Sequence, residues 1–202
     1  MVLKHHHAAR LHAEAGLTGT EFPAHESNWH QTVGQLVHHC CADHANLRHL
    51  PAHELAQRVI DWASVNVKAT RTLGNLAKAR AAIASNANVY LTRYAPGPDA
   101  QFLGAEIPVG DGRIDLAWFI PDFGVLVDEL KTVRQVHMHA DNPGITQCHG
   151  YVDAGLAEWG DLFAGVRYLP LSIPSQALFF APDHGTHTLS RYTPADVIRQ
   201  VA

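Results

Sequence analysis

This 202-residue chain lacks any long hydrophobic run. None of its apolar stretches approaches the roughly 18–20 residues that a membrane-spanning helix requires. The first residues, MVLKHHHAARLHAEAG, also lack the apolar core of a secretory signal peptide. We therefore expect a cytoplasmic protein with no membrane partner. The length suits one domain, or one domain with a helical appendage.

Cysteine is scarce as well, and the three thiols of the chain fit a reducing compartment better than a disulfide framework. They also fall short of the four thiolates of an all-cysteine iron–sulfur cluster. A structural zinc site is an alternative for one segment, which holds His38, His39, Cys40, Cys41 and His44. Cys40 and His44 lie four residues apart and share a helical face. No second pair follows at zinc-finger spacing, so satisfied or exposed side chains explain the segment better.

An excess of positive charge is absent too. Lysine and arginine number 15 against 19 acids, and the formal net charge of −4 counts mildly against a simple nucleic-acid binder. Acids, however, are missing from the whole stretch between Trp62 and Pro98. The cations of this stretch that are candidates for guiding a phosphate backbone are Lys68, Arg71, Lys78 and Arg80. A solvated helix face explains the same residues equally well.

The first half of the chain has helical periodicity. After a loose arm, a helix is predicted from a cap at Ser27 or Asn28 to about residue 45. A second helix follows Pro51, with an apolar stripe at Leu55, Val59, Ile60 and Trp62. A third covers roughly 72–93 and ends before a proline-rich turn. We place a division of the chain near residue 65, with an N-terminal arm and helices in 1–65 and a core in 66–202.

The pattern then changes to strands. Residues 102–109 and 113–120 form a predicted hairpin, in which Pro108 favours an edge position. The apolar run 125–131 is typical of a buried central strand. A helix over about 145–159, strands at 166–171, 176–180 and 189–192, and a terminal helix over 194–201 complete the prediction. The fold class is α/β (α+β), a mixed sheet with helices packed on it.

Two of these strands carry a group of residues with one chemistry. Asp115 lies in one apolar strand, and the next ends in Glu129, Leu130 and Lys131. The two carboxylates, with the Leu130 carbonyl as a third oxygen ligand, suit Mg²⁺ or Mn²⁺. Glu129 and Lys131 point to the same face, so the ammonium would position the attacking water or stabilise charge on phosphate oxygens. This combination is what metal-dependent phosphodiester hydrolysis requires; the alternative is an edge-strand Glu–Lys pair in solvent.

Between about Leu103 and Tyr151 the chain resembles the PD-(D/E)XK nucleases. Asp115 matches the first acid of that superfamily, and Glu129 and Lys131 match its second acid and lysine. Gln147 and Tyr151, four apart on the following helix, look like the Gln-x-x-x-Tyr motif of the RecB-type branch. The resemblance implies a restriction-endonuclease-like sheet flanked by helices and DNA as the substrate. It also implies that Gln147 and Tyr151 border the active site and help to hold the lysine strand and the DNA.

Other residues near this motif are candidates for additional roles at the site. The resemblance implies a metal ligand from an upstream helix, for which His53, Glu54 and Asn75 are candidates, although each is better explained as surface or core. Glu106 is better placed in sequence, and the alternative is that it is only a strand residue near the site. Asp128 should point to the opposite face from Glu129. Arg134 is the first candidate phosphate contact after the lysine strand. One of His137, His139 and His149 could contact a phosphate or act as an acid toward the leaving oxygen, although plain surface residues explain these histidines better.

We therefore expect a magnesium-dependent deoxyribonuclease. The alternative is a catalytically inactive subunit of the same fold that binds nucleic acid or protein within a larger assembly. A zinc-stabilised helical module that recruits partners is a third hypothesis. The small size also favours a protein partner or a homo-oligomer.

Overall fold

A computed structural model describes residues 29–109, 112–132, 143–173, 177–183 and 185–189. Several predictions lie outside these residues. They are the N-terminal arm, the first two residues of the 110–112 turn, the segment with Arg134, His137 and His139, and the terminal helix.

Helices make up the first part of the described chain. They are α1 (Trp29–His44), α2 (Ala52–Asn66) and α3 (Leu76–Val89), and α3 continues into a π-helical turn, Tyr90–Tyr94. A 3₁₀ turn, Ala45–Leu47, follows α1. The side chain of Asn75 accepts a hydrogen bond from the backbone N–H of Lys78 at 2.9 Å and so caps α3. The third helix therefore begins at Leu76, later than the sequence pattern predicts, because its cap is Asn75.

A mixed sheet forms the rest. Its strands are β1 (Gln101–Val109), β2 (Gly112–Ile120), β3 (Gly124–Lys131), β4 (Phe163–Pro170), β5 (Ala177–Phe180) and β6 (Thr186–Leu189). They lie in the sheet in chain order, and every pair is antiparallel except β3 with β4. The parallel pair requires a crossover, which is helix α4 (Pro143–Trp159) with a 3₁₀ turn, Gly160–Leu162.

The two faces of the sheet are covered by different helices. Helices α1 to α3 pack on one face, around buried residues that include Leu36, Val59, Ile83 and Trp118. Helix α4 packs on the other, around residues that include Val152. The predicted fold class, a mixed sheet flanked by helices, is confirmed.

The strand predictions hold in their main features. Among the described strands β1 lies at the edge of the sheet, as Pro108 indicates, and every residue of β3 is buried except the half-buried Lys131. The predicted stripe of α2 is wrong at Ile60, which is 49% exposed. Ala63 takes its place in the core, because a helical turn of 3.6 residues brings it above Val59. The last described strand ends at Leu189, where the sequence pattern expects one to begin.

Asp128 points away from Glu129, as predicted, into the side of the sheet covered by α1 to α3. Its carboxylate accepts hydrogen bonds from Arg167 at 2.6 and 2.7 Å and from the Tyr90 hydroxyl at 2.6 Å. The Trp118 indole donates to the same hydroxyl at 3.0 Å. Because Asp128 and Arg167 are both essentially inaccessible to solvent, this network fixes the pairing of β3 with β4 in the core.

The hydrophobic cluster under α1 to α3 includes residues from both sides of residue 65. The division into 1–65 and 66–202 stays a prediction. Among the described residues, no helix is both long and apolar enough to cross a membrane.

Candidate metal and phosphate site

The predicted site begins where β2 and β3 run side by side. Leu116 pairs with Asp128, so Asp115 and Glu129 are neighbours on adjacent strands. The Asp115 carboxylate accepts a hydrogen bond from the backbone N–H of Leu130 at 2.6 Å. Asp115 is buried, and its second oxygen is directed to another element of the fold.

That element is α1, which contributes His38. The His38 Nδ1 lies 3.0 Å from Asp115 Oδ1, and its Nε2 lies 3.2 Å from the carbonyl oxygen of Leu130. One turn earlier on the same helical face is Gly34, where an added Cβ would stand 3.3 Å from the Thr132 hydroxyl. A larger residue at Gly34 would crowd the end of β3, so this glycine lets α1 approach closely enough for His38 to reach the carboxylate.

Glu106 completes a group of three possible ligands with His38 and Asp115. Its carboxylate oxygen is 3.7 Å from His38 Nδ1, and one ligand atom from each residue lies within 4.8 Å of the others. Glu106 has a φ of 51°, in the left-handed region that costs a non-glycine residue energy. Backbone strain of this kind concentrates at functional sites.

The environment of His38 favours a positive charge. Burial alone would lower the pKa of His38, but the charges and hydrogen bonds of Asp115 and Glu106 outweigh it and raise that pKa to about 10. The ring is therefore an imidazolium near neutral pH and can donate to both Asp115 and Leu130. Three oxygen acceptors thus surround a single cationic group.

Glu129 and Lys131 form a pair beside this group. The Lys131 ammonium donates to Glu129 Oε1, whereas Glu129 Oε2 is buried and has no hydrogen-bond partner among the described residues. Burial and the nearby charge of Asp115 raise the pKa of Glu129 to about 7, and Lys131 offsets only part of this. Burial would lower the pKa of Lys131, but Glu129 outweighs it and raises that pKa above its ordinary value. Desolvation thus weighs on the carboxylate, which is 2% exposed, more than on the ammonium, which is 26% exposed.

Gln147 and Tyr151 connect α4 to both strands. Gln147 Oε1 accepts from the Lys131 ammonium at 3.2 Å, and Gln147 Nε2 donates to the Tyr151 hydroxyl at 2.6 Å. The Tyr151 hydroxyl donates in turn to the backbone carbonyl of Arg113 at the start of β2. The two residues therefore hold the lysine strand and the aspartate strand in one arrangement.

The predicted basic residues lie in different settings. Lys68 and Arg71 are exposed in the segment between α2 and α3. Lys78 is exposed, with its ammonium 5.4 Å from the centre of the half-buried Trp29 ring. Arg80 instead donates to the carbonyls of Ser64 and Val67, which close the end of α2. A helix-capping function thus accounts for Arg80.

The cysteine and histidine segment of α1 is largely internal. Cys40 and Cys41 are buried, and burial raises the pKa of each thiol well above its usual value, which opposes the thiolate that zinc requires. His44 Nδ1 donates to the Cys40 carbonyl at 2.8 Å. In the described part of the chain, the cluster with metal-binding geometry is that of His38, Glu106 and Asp115, and it includes no cysteine. His149 packs its ring edge-on against Phe180 at 5.0 Å.

His38 is the residue that the sequence pattern does not assign to this site; it enters only as part of the histidine and cysteine segment that could bind zinc. His53 and Glu54 are exposed in the first turn of α2, and Asn75 is a helix cap, so none of these upstream candidates joins the site. A signal for His38 does exist in the sequence. A glycine in mid-helix is unfavourable, so Gly34 indicates close packing, and His38 lies on the same face one turn later.

The donor set fits a divalent cation. Carboxylate and carbonyl oxygens suit Mg²⁺ and Mn²⁺, and an added imidazole nitrogen favours a transition metal such as Mn²⁺. The buried Glu129 Oε2 is a further oxygen without a partner among the described residues. No known family model matches the chain, and no curated protein matches it either.

Proposed function

We propose that this protein is a metal-dependent deoxyribonuclease of the PD-(D/E)XK type. The observation that carries the proposal is the junction of β2, β3, α1 and α4. There, two buried carboxylates, an ammonium and an imidazole lie together, and one carboxylate oxygen lacks a partner among the described residues. Most buried polar atoms in folded proteins are hydrogen-bonded, so a buried carboxylate oxygen without a partner among the described residues favours a bound ligand here.

Each side chain has a defined part in the proposal. Asp115, Glu129 and the Leu130 carbonyl would hold Mg²⁺ or Mn²⁺, with His38 and Glu106 as additional ligands. A cation bound there would neutralise phosphate charge and provide an activated water. Lys131 is held by Glu129 and Gln147, so its ammonium is fixed for stabilising negative charge on phosphate oxygens.

The raised pKa of Lys131 favours that electrostatic role over proton abstraction. An ammonium that keeps its proton at neutral pH cannot act as a general base, but it can donate hydrogen bonds to an oxyanion. Gln147 and Tyr151 position the lysine and the start of β2 and need not touch the reacting atoms.

DNA is the proposed partner, and the exposed cations Lys68, Arg71 and Lys78 are its proposed path. Trp29, beside Lys78, is nine residues before His38 on α1, a separation of roughly 13 Å along the helix axis. A backbone that follows α1 would thus pass from Lys78 to the carboxylates within a few nucleotides. Arg134, three residues after Lys131, remains a proposed phosphate contact.

The location and assembly of the protein are parts of the same proposal. Three free, buried cysteines support a reducing, cytoplasmic compartment. A protein partner or a second copy of the chain would extend the DNA-binding surface.

The test is cleavage of linear duplex, circular duplex and single-stranded DNA with Mg²⁺ or Mn²⁺. Wild type is compared with Glu129→Gln and Lys131→Met, which remove the metal-binding charge and the ammonium while keeping similar volume. The matched control is Glu158→Gln, which neutralises an exposed carboxylate near the far end of α4.

We expect cleavage by wild type and the control, and a loss of at least about a hundredfold in both site variants. Cleavage of circular DNA would identify an endonuclease, and cleavage of linear DNA alone an end-dependent enzyme. If folded wild type binds DNA but cleaves none of the substrates, the inactive-subunit hypothesis replaces this one.

A further inference from the structure

The entrance to β2 carries an arginine with an unassigned role. Arg113 is exposed and lies two residues before Asp115. Ile114, between them, is fully buried in the cluster under α4. The Cβ position of Gly112 faces the Tyr151 ring and Ile114 packs under α4, so alternation directs Arg113 to the opposite side of the strand, from which His38 reaches Asp115. Two strand residues span roughly 6.6 Å, so an extended arginine reaches the neighbourhood of the carboxylates.

The backbone of Arg113 is held in place on both sides. Its carbonyl accepts the hydrogen bond of the Tyr151 hydroxyl, and its Cα pairs with that of Pro108 on β1. A Cβ at the preceding Gly112 would stand 3.2 Å from the Tyr151 ring, so this glycine permits the close contact. The arginine is exposed, but it is attached to a rigid part of the site.

The other cations at the site already have partners. Lys131 is bonded to Glu129 and Gln147, and His38 to Asp115 and Leu130. In the described ranges, no carboxylate forms an ion pair with the Arg113 guanidinium. A guanidinium presents a planar fork of donors that matches two phosphate oxygens.

We propose that Arg113 binds a phosphate of the DNA strand next to the phosphate that is cleaved. This inference rests on the proposed nuclease function and adds a substrate contact to it. The Gln147–Tyr151 pair then positions two groups that meet the DNA. Gln147 holds the Lys131 ammonium on β3, and Tyr151 holds the backbone of Arg113 on β2.

The test measures DNA binding and cleavage separately. Binding of a labelled oligonucleotide with Mn²⁺ is followed by fluorescence anisotropy in the Lys131→Met protein, so that the substrate stays intact. Cleavage is measured in the otherwise wild-type protein. Arg113→Ala and Arg113→Lys are compared with Arg58→Ala, which removes an exposed arginine from α2. The Tyr151 contact uses the backbone carbonyl and is retained in all variants; thermal melts verify the fold.

We expect Arg113→Ala to weaken binding about tenfold and to reduce the slope of log affinity against log salt by about one. Arg113→Lys recovers part of the affinity, because it keeps the charge but loses the fork. A scan of single methylphosphonates, which neutralise one phosphate each, then locates the contact. At one position next to the cleaved phosphate, the neutral group should weaken DNA binding by the parent protein about tenfold. At the same position it should cause no further loss of DNA binding in the Arg113→Ala variant.

Three results would overturn the proposal. The Arg113 contact would be refuted if wild type cleaves DNA and Arg113→Ala binds DNA as tightly as its parent protein. It would also be refuted if the losses from Arg113→Ala and from the methylphosphonate were additive at every position. Either result would leave the proposed nuclease function intact. Absence of both binding and cleavage in wild type would remove the nuclease function together with this contact.

Discussion

Metal binding should release a proton from His38. The charges and hydrogen bonds of Asp115 and Glu106 outweigh the effect of burial and raise the pKa of His38 to about 10. At about pH 8, two units lower, roughly one imidazole in a hundred is neutral. Only the neutral ring has a lone pair for a metal ion, so binding at His38 requires the proton to leave. The associated cost is about 3 kcal/mol at that pH and decreases by about 1.4 kcal/mol per pH unit.

Two quantities follow from this cost. Mn²⁺ binding at about pH 8 should release close to one proton, and the apparent dissociation constant should fall about tenfold from pH 7.5 to 8.5. Because the pKa of His38 is raised to about 10, protons compete with the metal ion at every pH below about 10, and the affinity for the metal ion increases as the pH rises. Glu129, with a pKa of about 7, is mostly ionised at pH 8 and contributes only about a tenth of a proton.

Isothermal titration calorimetry in buffers of different ionisation enthalpy counts these protons. The comparison is wild type, His38→Gln and a control, His49→Gln, which changes an exposed histidine. We expect about one proton for wild type and control, and weaker binding with almost no proton release for His38→Gln. Tight Mn²⁺ binding by wild type without proton release, or an unchanged proton count in His38→Gln, would refute the assignment of His38 as a ligand.

Other substitutions test the surrounding structure by urea denaturation. Tyr151→Phe removes two hydrogen bonds of one hydroxyl and should lower the free energy of unfolding by about 2 kcal/mol; no change would mean that the α4 bridge adds no stability. Arg167→Met leaves Asp128 buried without its cation and should cost about 3–5 kcal/mol, whereas a loss below about 1 kcal/mol would contradict the network. Gly155→Ala places a Cβ 2.3 Å from a phenylalanine ring of β4 and should lower the free energy of unfolding by about 1–3 kcal/mol. Gly150→Ala, which lies in open space on the same helix, should raise the free energy of unfolding by up to about 1 kcal/mol. Equal effects of the two substitutions would refute the packing of α4.

The sheet could be predicted from the sequence because its signals are local. An apolar run with turns at both ends indicates a buried strand, and alternation places Asp128 and Glu129 on opposite faces without knowledge of any other element. The spacing of Gln147 and Tyr151 likewise defines one helical face. These local patterns identified the residues that meet at β2, β3 and α4.

His38 could not be predicted in the same way, because its role depends on where α1 docks. More than 60 positions separate it from Glu106 and Asp115, and a histidine-rich segment offers many equivalent candidates. Docking is decided by the packing of residues such as Val33, Leu36 and Val37 against the sheet, together with the close approach at Gly34. Such complementarity exists only once the tertiary structure has formed.

Arg80 shows the opposite difficulty. Its position in an acid-free stretch favours a phosphate contact, but its guanidinium meets the terminal carbonyls of α2. Those carbonyls lack helical partners and attract a cation wherever one is in reach. Composition reports that a cation is present, whereas the fold determines what it contacts.

The central claim is tested most directly by one comparison, the rate of DNA cleavage by wild type and by Asp115→Asn after EDTA treatment and again after Mn²⁺ is restored. The account predicts no cleavage in EDTA, recovery with Mn²⁺ in wild type, and a loss of at least about a hundredfold in Asp115→Asn despite an intact fold. Cleavage that persists in EDTA, or equal rates for the two proteins with Mn²⁺, would contradict it.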